Sequence, residues 1–194
     1  MKISTVRRIA HTLNTLALVM LICNYLLLYL VPAAVLCEGE GLLGGVWNYL
    51  SGSFFPGEDD IAAAGLFGSL LAWGRVWRDI HHLVPTLFLI VSGLCTAAIL
   101  RQGRKVLQTI LHGEPFSTEN AAHLRRSAFY CFVIAAAALV RAVSGAFLYR
   151  SFRPLTNYNA LFAAIFTLAG LLCLVMAALF RQAAEMKVEN DLII

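Results

Sequence analysis

Leu161 to Phe180 reads LFAAIFTLAGLLCLVMAALF, twenty residues without a charge, an amide or a proline. Roughly 20 such residues are what a helix needs to cross about 30 Å of hydrocarbon. Backbone polar groups cannot stay unpaired in lipid, so the run must be a helix or a strand of a closed barrel, and it is too long and too evenly apolar for a barrel strand. Working back along the chain, Ser127 to Tyr149, Leu83 to Leu100 and Leu13 to Leu36 meet or approach the same length. The 194 residues are 60% hydrophobic and 13% charged, with a mean hydropathy of +0.76. A soluble domain with so few charges would expose large apolar patches. The expectation is an all-α integral membrane four-helix bundle, a single domain over 1–194, with spans 13–36, 83–100, 127–149 and 161–180.

The formal net charge is +4, but the cations flank the apolar runs and do not form one basic face, so topology explains them better than nucleic acid does. Lys2, Arg7, Arg8, Arg101, Arg104, Lys105, Arg125, Arg126, Arg181 and Lys187 fall on one side, against Arg75, Arg78, Arg150 and Arg153 on the other. The positive-inside rule then makes both termini, the 101–126 loop and the 181–194 tail cytoplasmic, and the 37–82 loop external. The first run is too long for a signal-peptide core, and Val35 and Leu36 stand where small residues should precede a cut, so it is expected to stay attached. Leu36 argues in the same way against lipidation of Cys37. Cys23, Cys95, Cys131 and Cys173 lie within spans as small apolar residues, and no intrachain disulfide framework is expected.

Small residues four apart, Gly93 and Ala97, Ala138, Ala142 and Ala146, Ala169, Cys173 and Ala177, allow close helix packing in lipid. Packing within the bundle and a homo-oligomer face both stay open. In the outer loop Leu66, Leu70, Trp73, Trp77 and Ile80 recur at helical steps, predicting an amphipathic helix on the membrane surface or an extension of the second span. Pro85 would mark the bend between them, and a cover over a peptide or lipid pocket is the functional alternative. On the inner side Arg104 to His112 continues the second span and stops at Gly113 and Pro115. Ser117 or Thr118 then caps the next helix, Glu119 meets its positive end, and Phe116 is placed to staple onto it.

Gly113-Glu114-Pro115-Phe116-Ser117-Thr118-Glu119-Asn120 with Leu124 and Arg125, and the ending Phe180-Arg181 with Glu189-Asn190-Asp191-Leu192-Ile193, resemble a bacterial membrane family called domain of unknown function 2975. A G-x-P-F-[ST]-x-E-N turn and an E-N-D-L-T-[IV] ending recur in it. Ile193 stands where that family usually has Thr, and the outer loop does not align with it. The resemblance implies a multi-pass protein of the bacterial cytoplasmic membrane with no established activity, and a small helix-turn-helix regulator as a cytoplasmic partner. The chain itself shows no recognition-helix pattern, so direct nucleic-acid binding is not expected.

Arg141 falls within the third span, where a charge normally faces the bundle interior. Asn24 and Tyr25 on the first span and Ser92 on the second are its candidate partners in an intramembrane polar network. It is either an anion site reached from outside or a structural hydrogen-bond hub that snorkels outward. His81 and His82 point in different directions, Glu58, Asp59 and Asp60 lack the spacing of a calcium loop, and His11, His112 and His123 lie outside the spans, so neither metal nor haem nor other cofactor is expected. No nucleophile or phosphate-loop motif occurs, which argues against an enzyme. The apolar ending Leu192, Ile193, Ile194 either packs on the middle loop or docks a partner. The leading expectation is a non-enzymatic regulatory or sensory membrane protein, and the alternative is a small oligomeric transporter or channel subunit.

Overall fold

A computed structural model describes residues 3–31, 35, 73, 74, 77, 78, 80–113, 116–149 and 158–192. They hold four helices, α1 (Ile3–Tyr29), α2 (Ile80–His112), α3 (Thr118–Tyr149) and α4 (Tyr158–Leu192), and no strand. Each is long and apolar enough to cross a membrane. The last three apolar runs read from the sequence are helical cores that their helices outrun, and the first is helical from Leu13 to Tyr29, its remainder lying largely outside the described residues. α2, with 33 residues, is about 50 Å long and α4, with 35, about 52 Å, well beyond the roughly 30 Å of hydrocarbon. Arg104 to His112 continues α2 without a break, as its pattern predicts, and α4 carries on through Glu189 to Leu192.

The chain divides into two compact units, Met1–Asn24 with Ser92–Ile194, and Tyr25–Val91. The first gathers the start of α1, the later part of α2 and the whole of α3 and α4. Its interior is made of small side chains. Ala128, Cys131, Ala135, Ala138 and Ala142 are buried on α3 together with Ile134, and Ala163, Ala177 and Ala184 on α4. The large apolar residues face outward, among them Val140 at 65%, Leu168 at 61% and Phe147 at 79% exposure. In water this distribution would be inverted, because burial of the largest apolar side chains is what drives folding there. In lipid the tails solvate Leu and Val, and close backbone approach through small residues holds helices together.

α3 packs against α4. On α4 the buried small positions are Ala163, Gly170, Ala177 and Ala184, seven residues apart. The four-residue spacing Ala169, Cys173, Ala177 noted in the sequence touches this face only at Ala177, because Ala169 and Cys173 are half-buried at its edge. A Cβ added to Gly170 would meet the Phe132 ring of α3 at 3.0 Å, so the glycine is there for the ring. Cys131 and Cys173 lie beside each other across the same contact. The packing role of Ala138, Ala142 and Ala177 is thus taken up inside the chain.

In the second unit Val31 and Val35 are buried, and Leu30 N–H closes the end of α1 on the carbonyls of Leu26 and Leu27. Pro85 lies inside α2, five residues past its start, and buried Thr86 donates its hydroxyl to the His82 carbonyl at 2.6 Å. Most of the amphipathic segment expected over Leu66 to Ile80, and the acidic Glu58, Asp59 and Asp60, lie outside the described residues. Trp73 and Gly74 are helical and Trp77 and Arg78 form a turn.

Candidate functional site

The turn between α2 and α3 is where polar side chains concentrate. α2 ends at Gly113, whose φ of 90° is left-handed backbone that glycine adopts without a Cβ penalty. Its N–H donates to the Ile110 carbonyl at 3.2 Å. Ser117 caps α3, settling the choice between Ser117 and Thr118. Its hydroxyl accepts from the Asn120 N–H at 3.2 Å, and its carbonyl accepts from Ala121 at 3.3 Å. Glu119 occupies the first turn.

Asn120 is wholly buried. The Thr109 hydroxyl of α2 reaches its Oδ1 at 2.7 Å and its own helix at Val106 O at 2.8 Å, so one proton is shared between two acceptors. One turn further along α3, His123 is 4% exposed. Its Nδ1 lies 2.6 Å from Gln102 Oε1 on α2 and its Nε2 3.3 Å from Glu119 Oε1. With one ring proton the histidine donates to one of these oxygens, and with two it donates to both. Buried Ser127 donates to the His123 carbonyl at 3.1 Å, so its hydroxyl is spent on backbone and does not face the imidazole. Arg104 Nε, on the same stretch of α2, donates to Asn14 Oδ1 of α1 at 3.2 Å.

Phe116, placed by its position to staple onto α3, makes its ring contact elsewhere. It meets Phe180 of α4 with centroids 5.6 Å apart, tilted by 51°. The two sequence segments that carry the family resemblance therefore touch in space. The family described as a protein of unknown function, DUF2975, matches the chain over residues 61–194, more than two thirds of its length. The chain belongs to that family. Neither the curated proteins nor the solved structures contain a match.

In this DUF2975 protein the match begins at residue 61, so the second half of the outer loop aligns with the family against the sequence expectation, and it contains α2, α3, α4 and the turn network, with α1 before it. Of the predicted turn residues, Gly113, Phe116, Glu119 and Asn120 come together with Thr109, Gln102, His123 and Ser127, which the sequence reading missed, while Pro115 lies outside the described residues. The missed residues carry a readable signal. Gln102 and Thr109 are seven apart on α2, and Asn120 and Ser127 seven apart on α3, two polar stripes facing each other across a short turn. Glu189, Asn190, Asp191 and Leu192 form the last turn of α4, one turn past the exposed pair of Arg181 and Glu185 at 2.8 Å.

Arg141 is half-buried on α3, eight residues and about 12 Å from the Tyr149 end. Its carbonyl accepts from the Ser144 hydroxyl at 3.0 Å. Of the partners proposed for it, Asn24 has an enclosed Oδ1 that accepts no hydrogen bond from the described residues, Ser92 is half-buried with its carbonyl accepting from Thr96 at 2.8 Å, and Tyr25 is 38% exposed on α1. Among the described residues no group of three His, Cys, Asp or Glu is arranged to hold a metal ion.

Proposed function

We propose that this DUF2975 protein is a non-enzymatic regulatory or sensory component of the bacterial cytoplasmic membrane, with the α2–α3 turn and both chain termini in the cytoplasm. The observation that carries the reading is the buried polar ladder of Asn120 with Thr109 and His123 with Gln102. Both rungs lie beyond the apolar core of α2, so they tie α2 to α3 outside the hydrocarbon and give the turn one defined shape. A rigid, family-specific surface at the end of membrane helices suits a docking platform better than a flexible loop does. Phe116, half exposed beside Phe180, and the helical ending of α4 complete the surface. The partner implied by the family resemblance is a small helix-turn-helix regulator, with Arg141, Asn24 and Ser92 as the route by which an outer signal enters the bundle. The Lys and Arg distribution supports the orientation.

The alternative, a small oligomeric transporter or channel subunit, needs a polar path. The buried face of α3 is instead Ala128, Cys131, Ile134, Ala135, Ala138 and Ala142. Affinity purification of the full chain at native levels tests the proposal. A helix-turn-helix regulator should be retained, and lost when residues 189–194 are removed. Its absence from the full-length preparation, together with proteoliposome flux that Arg141→Leu abolishes, would establish transport instead.

A further inference from the structure

A second feature of α3 is independent of any protein partner. Ala122, Arg125, Arg126, Phe129 and Tyr130 share one face of the helix and line a concavity of about 360 Å³. Both arginines are exposed, and neither makes a hydrogen bond or ion pair with a described residue. The nearby carboxylate, Glu119, is turned to His123. Arg125 and Arg126 stand immediately before the apolar run that begins at Ser127, so in the membrane they lie at headgroup level. One turn deeper, Phe129 is 64% exposed and meets Tyr130 edge-on at 5.8 Å.

We infer that this face is a binding site for an anionic phospholipid, with Arg125 and Arg126 holding the headgroup phosphate and the Phe129 and Tyr130 rings flanking the start of an acyl chain. Two guanidinium forks present paired N–H donors to phosphate oxygens, a geometry ammonium groups do not offer. Charge complementarity selects an anion. The apolar surface one turn away, continuous with the lipid-facing side of α3, selects an anion that carries a chain. Tyrosine at the boundary keeps its hydroxyl in the polar layer while its ring stays in the apolar one.

The full-length protein in neutral detergent is titrated with phosphatidylglycerol and with phosphatidylcholine of the same chains, binding being read by native mass spectrometry. Phosphatidylglycerol should bind at least about tenfold more tightly. At about fivefold for each cation near a lipid surface, Arg125→Gln with Arg126→Gln should weaken it about 30-fold, whereas Lys105→Gln on exposed α2 surface should leave it unchanged. Free glycerol phosphate at the same concentration should not compete. Equal binding of the two lipids by the unaltered chain, a measurement that needs no variant, overturns the inference. So does unchanged phosphatidylglycerol binding in the double variant, and full competition by glycerol phosphate would make this a site for soluble phosphate.

Discussion

Asn120 has no contact with solvent, so its polar atoms depend on Thr109, Ser117 and their neighbours for every hydrogen bond. Asn120→Ala removes the hydrogen bond that ties Thr109 of α2 to α3, leaving its hydroxyl to Val106 O alone and an empty space beside it, and should lower stability by about 1–3 kcal/mol, read as a fall in the melting temperature of the detergent-solubilised protein. Replacing both partners, Thr109→Val with Asn120→Leu, exchanges the polar pair for an apolar contact that fills the space and should recover most of the loss. A double variant as unstable as the sum of its parts would show that the two side chains do not act as a pair. At this scale the sequence was partly legible. The stop at Gly113 and a cap at Ser117 or Thr118 could be read because capping and left-handed backbone depend on neighbours within a few residues. The Phe116 contact was not legible, because Phe180 lies 64 residues further along and nothing local distinguishes it from the α3 side chains that a staple would use. The burial of Asn120 was hidden for a related reason: an amide three residues into a helix is ordinarily a surface group, and only the arrival of α2 encloses it.

Between elements, α3 and α4 meet through positions chosen for what they lack. Gly170→Leu would drive a branched side chain into the Phe132 ring, which already stands 3.0 Å from the place a Cβ would take. Such overpacking typically costs about 1–3 kcal/mol, so the melting temperature should drop, and Phe132→Ala in the same chain should restore part of it. An unchanged Gly170→Leu protein would place the two helices in a different register. The register has a second check in the neighbouring Cys131 and Cys173. A short bifunctional methanethiosulfonate should link them within one chain, giving a monomeric product that Cys131→Ser abolishes. A linked dimer would assign the contact to a second copy. The four helices themselves were legible from length and apolarity alone, since lipid imposes both on any helix that crosses it. Which small residues meet which helix was not. A spacing of four marks a face that permits close approach but does not fix its azimuth, and the face α4 uses runs at sevens through Ala163, Gly170, Ala177 and Ala184.

For the molecule as a whole, the inverted distribution of large and small apolar residues makes the bilayer the medium of folding, and the arrangement of Lys and Arg predicts how the protein sits in it. A single cysteine appended after Ile194, in a chain whose Cys23, Cys37, Cys95, Cys131 and Cys173 are serine, should resist a membrane-impermeant maleimide in intact cells and react once the cells are opened. Reaction in intact cells would reverse the orientation and with it the cytoplasmic placement of the turn. The length of α4 carries a mechanical implication. From Arg181 to Leu192 it continues as helix past its apolar core, an overhang of about 18 Å at 1.5 Å per residue. A stiff rod anchored in a fluid sheet converts small rotations into travel: a 10° lean of α4 would sweep its tip sideways by about 3 Å, the width of a hydrogen bond. Modest changes in bilayer thickness, which membrane helices accommodate by tilting, would thus reach the far end of the protein as displacement without any side chain repacking.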